Sequence, residues 1–123
     1  MKLRVRESIA RTIAISILYA LVEAYFSPEH QGNVISPYHL LVLLIGLIAG
    51  FDRNIRIMIA NALTYSVLED ASYWIFKQQL PYSWASEYIV ICYIPVYYIP
   101  YSIIAMILYK RGMKDEGEHI LRK

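Results

Sequence analysis

The 123-residue chain has a single cysteine, Cys92, which excludes an intrachain disulfide and a cysteine-based metal cage. Charge is scarce: Asp, Glu, Lys and Arg make up 18% of the residues, against about 25% in an ordinary soluble domain. Glycine and proline number five each, and no linker, low-complexity tract or internal repeat breaks the chain. Basic side chains are missing from long stretches, with none between Arg11 and Arg53 and only Lys77 between Arg56 and Lys110. These absences, with a net charge of only +2, argue against a nucleic-acid-binding domain and a disordered tail.

What fills the chain instead is apolar. Hydrophobic residues reach 58%, mean hydropathy is +0.39, and tyrosine alone contributes 12 residues. One domain of this size leaves much of its surface in water and has too little interior to hide so much apolar side chain. The composition therefore predicts an integral membrane protein.

Four apolar spans are legible, at about 9–26, 37–51, 55–76 and 85–109, followed by a polar tail over 110–123. The first follows a basic leader (Lys2, Arg4, Arg6), as a signal peptide would. It is longer than a signal core and lacks a small-x-small cleavage site, so it reads as a retained helix. A polar turn is expected over 27–33. Ser36 is a suitable N-cap for the second span, with Pro37 at its first helical position. The fourth contains Pro95 and Pro100 and should be kinked or partly unwound. The fold class expected is all-α: a four-helix transmembrane bundle, in one domain.

Orientation follows from the basic residues, because Lys and Arg accumulate in cytoplasmic loops. Lys2, Arg4, Arg6 and Arg11, then Arg53 and Arg56, then Lys110, Arg111, Lys114, Arg122 and Lys123 fall on one side, and Lys77 stands alone on the other. Both termini are expected to be cytoplasmic, in a multi-pass protein of a prokaryotic plasma membrane.

Polar residues within the spans are costly and call for partners. Ser8, Thr12, Ser16, Tyr19 and Glu23 form one helical stripe; Asn61, Tyr65, Glu69, Ser72 and Tyr73 form another, with Asp70 at its edge. Glu23, His39, Glu69 and Asp70 lie at similar depth in the outer half. Two or three carboxylates beside a neutral imidazole suit a divalent metal ion, so these four are the candidate ligands, with Tyr65, Tyr73 and Trp74 around them. The alternative is a structural network in which tyrosine hydroxyls and His39 satisfy the carboxyl groups. The zinc-protease patterns H-E-x-x-H and H-x-x-E-H are absent.

Gly46 and Gly50 form a Gly-x-x-x-Gly pair, which permits close helix approach, either in a homodimer seam or inside the bundle. Tyr93, Tyr97 and Tyr101 repeat at i, i+4 and i+8; an aromatic wall beside carboxylates can hold an organic cation or simply pack.

The stretch Leu68-Glu69-Asp70-Ala71-Ser72-Tyr73-Trp74-Ile75-Phe76 resembles an E-D-x-x-aromatic-aromatic motif of uncharacterised small polytopic membrane proteins. It is also similar to the E-E-x-x-F-F motif of membrane lycopene cyclase domains, with Asp70 in place of the second Glu and without the usual preceding proline. The latter resemblance implies an enzyme on a lipid or isoprenoid, with Glu69 or Asp70 as general acid and Tyr73 and Trp74 lining the substrate slot. The residues themselves favour a small membrane protein whose outer pocket binds a cation or metal, or which supports a larger membrane complex. Its partners would be the lipid bilayer, that complex or a second copy, and no nucleic acid.

Overall fold

Local signals set where the helices begin and end. In the computed structural model, which describes residues 2–26 and 36–121, the Ser36 hydroxyl accepts the His39 N–H (3.2 Å) and starts α2 (Pro37–Ala49). The Asn54 side chain does the same for the Arg56 N–H (3.0 Å) at the start of α3 (Ile55–Lys77). Helix α3 ends with Gln78 in the left-handed region (φ 56°), where the Gln78 and Gln79 N–H groups return to the carbonyls of Ile75 and Trp74. Helix α1 covers Leu3–Phe26, and a last helix, α4, covers Tyr98–Leu121. The all-α expectation with four helices holds. The turn expected over 27–33, including Glu29 and His30, lies outside the described residues.

The fourth apolar segment departs from expectation. Instead of a kinked helix from residue 85, the chain forms a bridge between Ala85 and Tyr88 and then a small antiparallel hairpin. Its strands are β1 (Val90–Ile91) and β2 (Ile94–Pro95), paired Val90 to Pro95 and Ile91 to Ile94. The turn residues Cys92 and Tyr93 both have positive φ (52° and 63°), a conformation costing L-residues about 1–2 kcal/mol each. Pro95 lacks the N–H a helix would need and sits at the end of a strand. Pro100 occupies the first turn of α4, where a missing N–H costs nothing, so it starts the helix rather than kinking it. The polar tail is correspondingly the continuation of α4.

Helix α3 is the centre of the assembly, packing along α1 and α4 and more lightly against α2. Its interface with α1 is small and polar. Ser8, Thr12, Ser16, Ala20 and Glu23 are buried on α1, facing Ala60, Asn61, Tyr65 and Glu69 on α3. The polar stripes read from the sequence are thus the buried ones. The hydroxyls of Ser8, Thr12 and Ser16 donate to carbonyls within α1 (2.8–2.9 Å). Asn61, fully buried, ties three other elements together: its amide donates to Ser8 Oγ (3.1 Å) and to the Gly50 carbonyl (2.9 Å), and its oxygen accepts the Tyr109 hydroxyl (2.6 Å).

Gly46 and Gly50 are both buried inside this bundle. A Cβ at Gly46 would run into the ring of Tyr65, and one at Gly50 would stand 2.6 Å from Asn61 Cβ. The Gly-x-x-x-Gly seam seats α2 on α3 and α1 within the chain.

One end of the bundle is ionic. The Arg4 guanidinium bridges Asp52 (3.0 Å) and Glu116 (2.7 Å), Lys2 reaches Glu116 (3.0 Å), and Arg56 pairs with Asp115 (3.0 Å). Arg11, which interrupts the first apolar run, donates to the Ala49 and Phe51 carbonyls at the end of α2 (3.2 and 3.1 Å). The start of α1, the α2–α3 loop and the C-terminal part of α4 therefore share one end. Lys2 and then Arg4 hold the Glu116 carboxyl down to about 2.

The outer surface is the reverse of the interior. Leu40, Leu41, Leu44, Ile48, Ile75, Ile103 and Met106 are exposed, Ile48 by 68% and Ile75 by 71%. Helix α1 is long and apolar enough to cross a membrane. Helix α2 rises only about 20 Å, and the apolar part of α4, before Lys110, about 18 Å.

Candidate functional site

At the end opposite the ion pairs, α1, α2, α3 and the 84–101 segment enclose a cavity of about 360 Å3. Its polar lining comes from Glu23, His39, Tyr65, Ser66, Glu69 and Asp70, with Glu87 exposed at its edge and Trp84, Tyr88, Tyr97 and Tyr101 as aromatic walls. Helical spacing brings the acids together: Glu23 closes the α1 stripe, Glu69 lies one turn beyond Tyr65 on α3, and Asp70 is the next residue around the helix. All three carboxyl groups are buried.

They do not form one cluster. Glu23 and Glu69 lie close enough for their carboxyl groups to interact. Asp70 turns to tyrosines: its Oδ2 accepts the Tyr88 hydroxyl (2.5 Å) and the Tyr98 hydroxyl, while Trp74 Nε1 donates to the Tyr88 oxygen (2.8 Å). This Trp74–Tyr88–Asp70 chain of donors polarises in one direction, toward the carboxylate. His39 faces another way. Its Nδ1 lies 2.7 Å from Ser36 Oγ and its ring stacks on Trp84 at 5.8 Å between centroids.

The four residues expected to ligate a metal thus line one cavity but take separate partners. Among the described residues, no three of His, Cys, Asp and Glu stand close enough to share a metal ion. Of the surrounding residues expected, Tyr65 lines the cavity, whereas Trp74 acts on Asp70 through Tyr88, and Tyr73 packs edge-on against Trp74 at 5.3 Å.

In the cavity wall, Glu69 Oε1 and the Tyr65 hydroxyl have no hydrogen-bond partner among the described residues, and both are inaccessible to solvent. Buried polar atoms in folded proteins are overwhelmingly paired.

The residues the sequence reading missed are Tyr88, Tyr98 and Trp84. Only the hairpin brings Tyr88 back over Asp70. The row of Tyr93, Tyr97 and Tyr101 does not exist as a helical face, because Tyr93 is at the exposed hairpin tip. The usable signal was tyrosine on both sides of Pro95 within reach of a chain reversal.

No known family matches the chain, and no solved structure does. Similarity is found to a protein of Acidianus filamentous virus 2 (isolate Italy/Pozzuoli) named "Putative transmembrane protein ORF202", which is 29% identical over 102 residues. The aligned region is 83% of this chain and 50% of that protein, so the chain spans about half the length of the relative it matches.

Proposed function

We propose that the chain is a multi-pass integral membrane protein with its ionic end in the cytoplasm and its carboxylate–tyrosine cavity toward the opposite face, where it binds a cation. The observation that carries the membrane reading is the inversion of the usual interior. Serine, threonine, asparagine and carboxyl groups are buried between helices while large aliphatic residues cover the outside. Water would penalise that surface severely, whereas lipid tails accept it and leave small and polar residues to hold helices together. The relative's name supports the same reading. The cation reading is supported by three buried carboxyl groups in one cavity with no lysine or arginine in its lining.

Orientation is tested by cysteine labelling in a Cys92→Ser background. Gln78→Cys should react with an impermeant maleimide from outside intact cells and Lys114→Cys should not; the opposite pattern overturns the assignment. Resistance of the chain to alkaline carbonate extraction tests the membrane reading itself, and release into the supernatant would end it.

A further inference from the structure

The donor requirement of the cavity narrows the class of cation. Resting on the reading above, we propose that the cavity binds a protonated primary amine carrying an apolar or aromatic body, with its ammonium N–H groups donating to Glu69 Oε1 and the Tyr65 hydroxyl.

Four observations lead there. First, Glu69 Oε1 and Tyr65 Oη are orphaned side by side on one face of α3, four residues and about one helical turn apart. Glu69 is 8% exposed and Tyr65 1%, so bulk water does not satisfy them. A carboxylate oxygen accepts, and an ammonium N–H is a donor that would satisfy both atoms; a quaternary ammonium brings no N–H.

Second, Asp70 is already engaged by two tyrosine hydroxyls, both spending their protons on it. Drawing Asp70 into a metal shell would break both bonds, and among the described residues no three metal-ligating side chains converge. An ammonium at Glu69 leaves the Asp70 network intact.

Third, the cavity, at about 360 Å3, is far larger than an ion needs and falls in the range of small-molecule pockets, about 300–1,000 Å3. Leu40, Leu43, Trp84 and Tyr97 supply the apolar and aromatic wall for an organic body. A cation beside such faces gains from the ring quadrupoles as well as from the carboxylates.

Fourth, no lysine or arginine is among the described residues that line the cavity. The basic residues whose ion pairs are described sit at the other end of the bundle.

The experiment uses the full chain in lipid nanodiscs at neutral pH, titrated by calorimetry with four probes: phenethylammonium chloride, neutral 2-phenylethanol, tetraethylammonium chloride and calcium chloride. Each is also titrated into Glu69→Gln nanodiscs, so that partition into lipid cancels. The expected result is saturable 1:1 binding of phenethylammonium, weakened about tenfold or more by Glu69→Gln, as for loss of one charge-assisted hydrogen bond. Tyr65→Phe, which keeps the ring against Gly46, should weaken it by a smaller factor and guards against misfolding of the first variant. If tetraethylammonium or calcium binds as well as the amine and depends equally on Glu69, the cation reading stands and the amine assignment falls. If phenylethanol matches the amine, or no probe saturates, both are overturned.

Discussion

Asp52 and Asp70 are both buried aspartates, and the two ends of the bundle treat them oppositely. Asp52, with a side chain 0% exposed, meets the Arg4 guanidinium and the Asn54 N–H. Asp70 meets only neutral donors, the hydroxyls of Tyr88 and Tyr98. At the ionic end Asp52, Asp115 and Glu116 each meet a cation, so their charge is spent on joining the start of α1, the α2–α3 loop and α4. At the cavity end three buried carboxyl groups share a cavity with no lysine or arginine in its described lining. Charge paired within the fold holds the fold; on the function proposed above, the charge at the cavity end serves a ligand.

The comparison can be broken by mutation. The largest effect expected is at the seam shared by both ends. Gly46→Val should cost about 3 kcal/mol by forcing α2 off the Tyr65 ring, read as a fall in the thermal midpoint in detergent. An unchanged midpoint would mean α2 is not seated as described. Arg4→Gln should cost about 2 kcal/mol because it leaves Asp52 buried without its cation. Glu69→Gln at the other end should cost less than about 1 kcal/mol, since it removes an unneutralised charge and keeps the shape. Equal losses at the two ends would erase the distinction drawn between them.

Acid should act on the ionic end through Glu116. Its folded-state value, about 2, lies below the ordinary 4.5, so the stabilisation is complete above about pH 4.5 and disappears as the pH falls toward 2. The expected outcome is loosening of the last turns of α4 over that window, followed by tryptic cleavage kinetics after brief acid exposure. Glu116→Gln should abolish the pH dependence. The smallest effect concerns the hairpin. The native Cys92 thiol is exposed at its tip, and a fluorophore there should be quenched by lipids brominated near the headgroup rather than near the acyl terminus, because strand edges are not tolerated deep in hydrocarbon.

Much of the architecture was legible because it depends on local chemistry or helical period. Ser36 and Pro37 announced α2, the stripe from Ser8 to Glu23 gave the buried face of α1, and Asn61, Tyr65 and Glu69 gave that of α3. Segment 85–97 was not, since a mostly apolar run containing a proline reads alike as a kinked helix or a hairpin. Of the site, the membership of Glu23, His39, Glu69, Asp70 and Tyr65 in one cavity was accessible from depth and spacing. Their partners were not: that Asp70 belongs to Tyr88 and Tyr98 depends on where the chain turns, which no helical period encodes. Arg11 looked like an interruption of α1 until the α2 carbonyls it caps were in view.

Tyr88 precedes the hairpin and Tyr98 follows it, yet both close on the same Asp70 oxygen. The excursion between them is thus a loop with a clasp made of two hydroxyl protons and one carboxylate. Such a clasp can release without disturbing the seams between helices, so residues 89–97 form a unit able to open on its own, exchanging amide hydrogens well before the helices do. Asp70→Asn would weaken the clasp and leave the seams intact. Tyr88, held at that oxygen by one hydroxyl proton, would then be fixed less firmly over the cavity.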